Sequence, residues 1–465
     1  MRLLIDCTGI QFSAPTNGYS RVVRAYLLHA QAWSQQSGVP VWPIRFTQQG
    51  QAYRVSLRPG SVHAEWTQAP PWQRAGMAVT WCVRRGARRL ARVLSAWAEP
   101  SALPTDHSLI KRCVWWPYRL CDRLWTAWPG VAVNVGPDDV VFMPSHWDTL
   151  SEGVLSQIRL QAGVMAVMVH DVLPVTLPQR YPGWHSARFG QRLRHLLALQ
   201  PAWLAASRFT QRELRDVGTH MGVHVQVALA HHGVDPLAWG AQACDAQAWQ
   251  GRHVWSHPDL ERLMTAKEAA LLMVGTLDPK KGYLDVIRAM HVLWRQGDAR
   301  SLVVVGKACL LSGDIVHAMV HSPEWGRRLH WLADVDDADL DEAYRCAQAL
   351  VFGSEAEGFG LPLIEAARWG CPVLARDTLV TREVMGDAAH YVDGSEAAWV
   401  QGLQALAQPS FQRQARASLE GWSWPQWQHT VPTVFNALLA MWRTGQTLHG
   451  DVVAGGAQAV AVARA

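Results

Sequence analysis

At 465 residues, with 49% hydrophobic and 17% charged side chains, the chain is too long for one ordinary core and too apolar to be disordered. No run approaches the ~18 apolar residues that span a bilayer, and the opening MRLLIDCTGI reads as a buried strand instead of a secretory leader. Eight scattered cysteines with no CxxC pair and twenty histidines with no HExxH exclude a structural metal framework and suit reduced thiols in a cytoplasm.

In chain order, the first half carries strand-like runs at RLLIDC (2–7), DVVFMPS (139–145), GVMAVMVHD (163–171), AWLAAS (202–207) and HVQVALAHHG (224–233). The second half repeats the rhythm with ALLMVGTLD (270–278), SLVVVGKAC (301–309), RLHWLADV (328–335), QALVFGSEAEG (348–358) and CPVLARD (371–377). Each run is followed by a glycine-bearing loop and an amphipathic helix. Strands apolar on both faces, alternating with helices, predict an α/β chain with doubly wound parallel sheets. The irregular, polar stretch 233–268 is the natural place for a boundary, and the small-residue stretch from 449 onward reads as low complexity. Ligands of such sheets bind where strands end and helices begin, so chemistry is sought in the loops after each strand.

The net charge of +5 is local. Residues 74–123 carry +7, leaving −2 elsewhere. Within them, WCVRRGARRLARVLSAW (81–97) sets Arg84, Arg85, Arg88, Arg89 and Arg92 against an apolar face of Val83, Ala87, Leu90, Leu94 and Trp97, and VWWPYRLCDRLWTAW (114–128) adds aromatics. That pattern suits an anionic membrane surface. It equally suits an insertion packed on its own domain with a solvated arginine face. No recognised nucleic-acid-binding motif accompanies the charge, so no nucleic-acid partner is expected.

The second half holds the densest chemistry. Only five lysines occur against 38 arginines, and three of the five (Lys280, Lys281, Lys307) follow strand ends in this half. A flexible ammonium suits a phosphate oxygen, although paired turn lysines are ordinarily just solvated. The turn GFGLP (358–362) offers free backbone N–H groups before a helix, and Glu355, Glu357 and Glu365 flank it. Carboxylates accept two hydroxyl donors each, so lysines, amides and carboxylates together suit a nucleoside diphosphate bearing a polyhydroxylated group. In the first half, His170 at a strand's carboxyl end can hydrogen-bond a sugar hydroxyl or serve a structural acceptor, and Gly18 permits close backbone approach or marks an ordinary turn.

The block EGFGLPLIE, with seven residues between Glu357 and Glu365, resembles the EX7E motif of retaining nucleotide-sugar glycosyltransferases of the GT-B fold, the large family 4 group. The likeness extends through MVGTLDPKKGYLDVIRAM, LVVVGKA, LADVDDADLDEAYRCAQALVFGSEAEGFGLPLIEAARWGCPVLARD, TREVMGDAAHYVD and GWSWPQW. It continues more loosely through NGYSRVV, VMVHDVLP, AASRFTQREL and HHGVDP, and so spans roughly residues 1–60 and 130–440.

The resemblance implies two Rossmann-like doubly wound domains facing a cleft. Residues 1–240 would form the acceptor-side domain with the basic insertion at about 72–128, and residues 241–425 the nucleotide-sugar domain. A helix at 426–445 would return to the first domain, ahead of a disordered tail at 446–465. The resemblance further implies that Glu365 holds ribose hydroxyls and Glu357 the transferred sugar, while Lys281 and the amides of Gly358, Phe359, Gly360 and Leu361 hold the diphosphate with Gly18 opposite. His170, Lys281 and Glu357 would be catalytic, and Asp171, Ser207 and Arg208 would lie on the acceptor side. Glu355 falls outside the register and is expected to face solvent.

One departure stands out. Many relatives carry arginine where this chain has Thr276, leaving Lys280 as the substitute second cation. A subgroup with threonine there and a basic pair before the glycine gives GDP-mannose as the first expectation for the donor. Neither a metal nor any other cofactor is expected. The expected partners are the nucleotide-sugar and a glycan or lipid-linked acceptor of lipopolysaccharide or surface-polysaccharide synthesis, with cytoplasmic or peripheral inner-membrane localisation. Two other readings stay open: a non-catalytic, membrane-associated partner subunit of a glycosyltransferase complex, and a nucleotide-sugar epimerase on the same fold.

Overall fold

The computed structural model describes residues 1–8, 10, 18–55, 131–145, 147–235, 255–445, 447–448 and 450–453. The basic segment at about 72–128, with its candidate membrane face at 81–128, lies outside the described residues, as does the expected boundary at 240–241.

Two sheets form. The first contains β1 (Arg2–Asp6), β2 (Val41–Phe46), β3 (Ala52–Arg54), β4 (Val131–Val133), β5 (Asp139–Met143), β6 (Val164–Val169), β7 (Ala202–Ala205), β8 (Val227–Ala230) and β15 (Asp451–Val453). Its order is β15-β8-β7-β6-β5-β1-β2-β3-β4. The second contains β9 (Ala270–Val274), β10 (Ser301–Val305), β11 (Leu329–Leu332), β12 (Ala349–Phe352), β13 (Val373–Arg376) and β14 (His390–Val392), in the order β11-β10-β9-β12-β13-β14. The second sheet is parallel throughout. Strands such as VMAVMV of β6 are buried at every position, as strands covered on both faces must be.

The first sheet departs from the all-parallel expectation at one edge. β3 runs antiparallel to β2 and to β4, and this pair brackets the long segment 56–130. β2 carries Pro43, which masks its strand character in the sequence. The strand survives because the proline carbonyl still serves the sheet, accepting from Val55 N (2.8 Å). The other edge corrects the expectation of a tail disordered from 446. Asp451–Val453 adds in parallel to β8, where Leu229 N donates to Gly450 O (2.9 Å) and His231 N to Val453 O (3.1 Å). The β-branched pair Val452–Val453 supplies what the exposed edge of β8 lacks.

The helix Trp427–Thr444 packs on the helix Gly18–Ser37. Trp33 meets Phe435 edge-on at 5.1 Å and donates its indole N–H to Asn436 Oδ1 at 2.9 Å. The chain reaches it by passing Val234, whose N–H donates to Pro425 O and whose carbonyl accepts from Trp427 N. In each sheet the order reverses beside one strand, β1 in the first and β9 in the second. The loops after β6, β7, β9 and β12 therefore open onto a common space between the sheets.

Candidate functional site

The loop after β9 turns through Asp278–Gly282. Asp278 caps a short turn by accepting from Lys280 N (3.2 Å), and Gly282 adopts φ +70°, with its Cα facing Gly353 so closely that a Cβ would lie 2.1 Å from Gly353 O. Only glycine allows this docking of the β9 loop onto the β12 loop. The next helix, Tyr283–Arg295, then buries Val286, Ile287, Met290 and Leu293 at helical spacing. The result is that Lys281 and Glu357, 76 residues apart, form an ion pair, and Ser354 Oγ also donates to Glu357 Oε1 (2.8 Å). Both side chains are mostly buried, at 18% and 13% exposure.

Lys280 points elsewhere. Its ammonium pairs with Asp278 (2.7 Å) and sits 4.6 Å from the centroid of the Tyr181 ring. Burial pulls this ammonium down, but Tyr181 and Asp278 outweigh it and raise it above the ordinary lysine value. Thr276 is exposed at the same strand end.

Gly360 holds φ +87° and starts the helix Leu361–Arg368, which carries Glu365. Gly18, the first residue of the long helix from the other sheet, faces Leu361: a Cβ at Gly18 would lie 3.3 Å from Leu361 Cδ1. Gly358 is closer still to the opposite sheet. A Cβ there would lie 1.8 Å from His170 O, and its own carbonyl accepts from Ser207 Oγ (2.5 Å) and Thr210 Oγ1 (3.2 Å). Phe359 is buried among His231, His232 and Trp424. The second sheet's glycine turn is thus seated directly on the ends of β6, β7 and β8.

Glu365 is fully engaged. Oε1 accepts from Arg21 Nη1 (2.5 Å) and Oε2 from the Tyr344 hydroxyl (2.9 Å), while Arg21 also pairs with Asp337 (3.2 Å). Burial pulls the Arg21 guanidinium down, but Glu365 and Asp337 outweigh it. Arg21 lies on the helix that begins at Gly18, so one helix supplies both the close glycine and the cation.

His170 has both ring nitrogens occupied, Nε2 by Pro144 O (2.7 Å) and Nδ1 by His232 Nε2 (3.0 Å). A carbonyl accepts only, so Nε2 carries a proton. His170 O receives Thr210 Oγ1 (2.9 Å). Asp171 accepts from Leu173 N (3.1 Å) and from the Tyr19 hydroxyl (3.4 Å). Burial raises its carboxyl above the ordinary range, and Lys280 partly offsets this.

Of the residues expected on the acceptor side, Ser207 is fully buried as the cap of the helix Arg208–His220. The Arg208 guanidinium turns away to Asp451 of β15 (2.7 Å). Glu355, expected to face solvent, is 30% exposed and pairs with Arg180 of the first sheet's unit (2.5 Å).

The structure therefore brings together Gly18, Lys281, Glu357, Gly358, Phe359, Gly360, Leu361, Glu365, His170 and Asp171. It pairs the mostly buried Lys280 with Asp278, leaves Thr276 exposed at the end of β9, and turns Arg208 away. Arg21, Tyr344, Ser354 and Thr210 carry no signal in the sequence that singles them out. Arg21 and Thr210 stand inside family-like segments, but the residues they meet are 344 and 148 positions distant.

Residues 261–417 match the family model described as Glycosyl transferases group 1. Among characterised proteins, the serotype-specific mannosyltransferase WbdA of Escherichia coli is 28% identical over 314 residues, covering 63% of this chain and 36% of that one. The O-antigen chain mannosyltransferase B of Escherichia coli is 25% identical over 253 residues, covering 53% and 62%. The chain spans about a third of the length of WbdA. Among solved structures, a UDP-forming alpha,alpha-trehalose-phosphate synthase from Burkholderia vietnamiensis superposes with a TM-score of 0.58 at 15% identity, over 96% of this chain and 99% of that one. A sucrose-phosphate synthase from Thermosynechococcus elongatus gives 0.57 at 16% identity, over 96% and 100%. At these identities the structural likeness establishes the fold, which is GT-B.

Proposed function

We propose that this chain, which carries a group 1 glycosyl transferase domain on a GT-B fold, is a retaining glycosyltransferase. It moves mannose from GDP-mannose to a growing lipopolysaccharide or surface-polysaccharide acceptor. The observation that carries the reading is the pairing of Lys281 with Glu357 beside the Gly358–Leu361 turn, with Gly18 of the opposite sheet pressed against Leu361.

A diphosphate lying between Gly18 and Leu361 would meet the first-turn amides of two helices, where free N–H groups and the helix dipoles both favour an anion. Lys281 would shift from Glu357 to the leaving phosphate as negative charge develops there, an electrostatic contribution that no metal need supply. Glu357, released from Lys281 and still held by Ser354, would accept hydroxyls of the transferred sugar. Glu365 would accept the ribose hydroxyls once Arg21 withdraws. His170, fixed at both nitrogens, would act through its position beneath the sugar and its backbone carbonyl, with departure and attack on the same face. The mannosyltransferase relatives support the donor sugar, and the O-antigen role of one of them, mannosyltransferase B, supports the acceptor class.

Thermal stabilisation by GDP, UDP, dTDP and ADP tests the reading. At 100 times its dissociation constant, a nucleotide that binds only the folded chain adds about 2.7 kcal/mol. GDP should shift the wild type most and Glu365→Ala least, and Glu357→Ala should abolish turnover of GDP-mannose while keeping the GDP shift. Failure of every nucleotide to stabilise the chain would refute the proposal.

A further inference from the structure

A cavity opens beside Glu357. It has a volume of about 620 Å³ and lies between the helix Arg208–His220, the segment 173–177, the loop 355–357 and the start of the helix Leu379–Met385. Its polar lining holds four carboxylates, Glu213, Asp216, Glu355 and Glu357, beside His220 and the hydroxyls of Thr176 and Thr378. Its floor is apolar, with Phe209 from one side and Leu379, 61% exposed, at the mouth from the other.

Two of these carboxylates are already matched, Glu355 by Arg180 and Glu357 by Lys281. Among the described residues, the side chains of Glu213 and Asp216 have no ion-pair partner. Unmatched carboxylates repel phosphates, uronates and other anions. They accept hydroxyl protons, two or more per group, while flat apolar side chains suit the C–H faces of a pyranose ring. The space exceeds one hexose and continues from Glu357, the carboxylate assigned above to the transferred sugar.

We propose that this cavity is a subsite for one or two neutral sugar residues of the acceptor glycan, held by Glu213 and Asp216 over Phe209 and Leu379. That the bound sugar is the acceptor rests on the glycosyltransferase reading; that a neutral saccharide binds there rests on the cavity alone.

The test uses the full chain and three probes: a mannose disaccharide, mannose 6-phosphate and GDP. Saccharide binding is followed by saturation-transfer NMR and calorimetry, and GDP binding by thermal shift. The disaccharide should bind the wild type, with mannose 6-phosphate at least tenfold weaker. Leu379→Trp, which fills the mouth from an exposed position, and the pair Glu213→Gln with Asp216→Asn should each weaken the disaccharide at least tenfold and leave the GDP shift unchanged. Disaccharide affinity equal to wild type in both variants would overturn the inference. So would preference for the phosphorylated sugar, or no disaccharide binding to the wild type. Absence of a shift with GDP, UDP, dTDP and ADP alike in the wild type would instead sink the glycosyltransferase reading, while the saccharide result would still decide the subsite.

Discussion

At the scale of single residues, burial decides which charges the fold tolerates. Asp6, at the end of β1, is 2% exposed; Oδ1 accepts from Thr8 N and Oγ1, but Oδ2 is buried and has no partner among the described residues. Burial lifts its carboxyl to about 6, with Thr8 and Arg45 opposing. The folded state then binds more protons than the unfolded state between about pH 4 and 6, so Asp6 contributes stability at low pH that is lost as pH rises through 6. Asp6→Asn should remove that slope. Urea unfolding of wild type and variant at pH 5 and pH 7.5 should show the variant gaining ~1–2 kcal/mol relative to wild type at the higher pH, because a tenfold difference in proton affinity between the two states is worth about 1.36 kcal/mol. His232 works in the opposite sense. Burial, then His170 and His231, hold its imidazole well below the ordinary value, so its neutral form is the one that packs and its contribution fades as pH falls below about 6.5.

At the scale of elements, one helix end joins the two sheets. The helix Arg208–His220 is capped by Ser207 Oγ at Thr210 N (3.0 Å), and its first two amides are satisfied from the other unit: Glu383 accepts from Arg208 N (2.6 Å) and Phe209 N (3.2 Å). His231 Nε2 also contacts Glu383 Oε1 (2.7 Å). A mostly buried carboxylate on two helix amides satisfies donors that would otherwise be orphaned. Glu383→Ala should therefore destabilise the chain by about 1–3 kcal/mol in urea unfolding, with Glu383→Gln recovering part of the loss. Ser207→Ala should cost roughly 1 kcal/mol through the cap. An unchanged midpoint for Glu383→Ala would show that this contact adds nothing to cohesion between the units.

For the whole molecule, ion pairs close the space between the sheets: Arg21–Glu365, Arg24–Asp337, Arg180–Glu355 and Arg368–Asp235. The more exposed of these are worth little individually. Arg21–Glu365 differs because it occupies the carboxylate proposed to hold the ribose. A nucleotide must then displace Arg21, so Arg21→Ala should tighten GDP binding by about three- to tenfold, equivalent to roughly 0.7–1.4 kcal/mol. It should also expand the ligand-free chain in small-angle scattering. Weaker GDP binding in this variant would mean that Arg21 contacts the nucleotide instead of competing with it. Among the described residues, no helix is long and apolar enough to cross a membrane.

The alternation of buried strands and helices is legible in the chain itself, because apolar runs of strand length followed by amphipathic helices have few other solutions. So are the segments of Lys281 and of Glu357 and Glu365, since chemistry in such sheets collects at strand ends and each follows an apolar run of strand length. The remainder arises from packing. Local signals are too weak for β2, broken by Pro43, and for the three-residue β15, which exists only because β8 offers an unpaired edge. The engagement of both His170 nitrogens, the turning of Arg208 to Asp451 and the closure of Arg21 on Glu365 are contacts between residues 26 to 344 positions apart. Periodicity and spacing report what a segment does with its neighbours in the chain; which distant charge satisfies a half-buried carboxylate is settled only when two sheets come face to face.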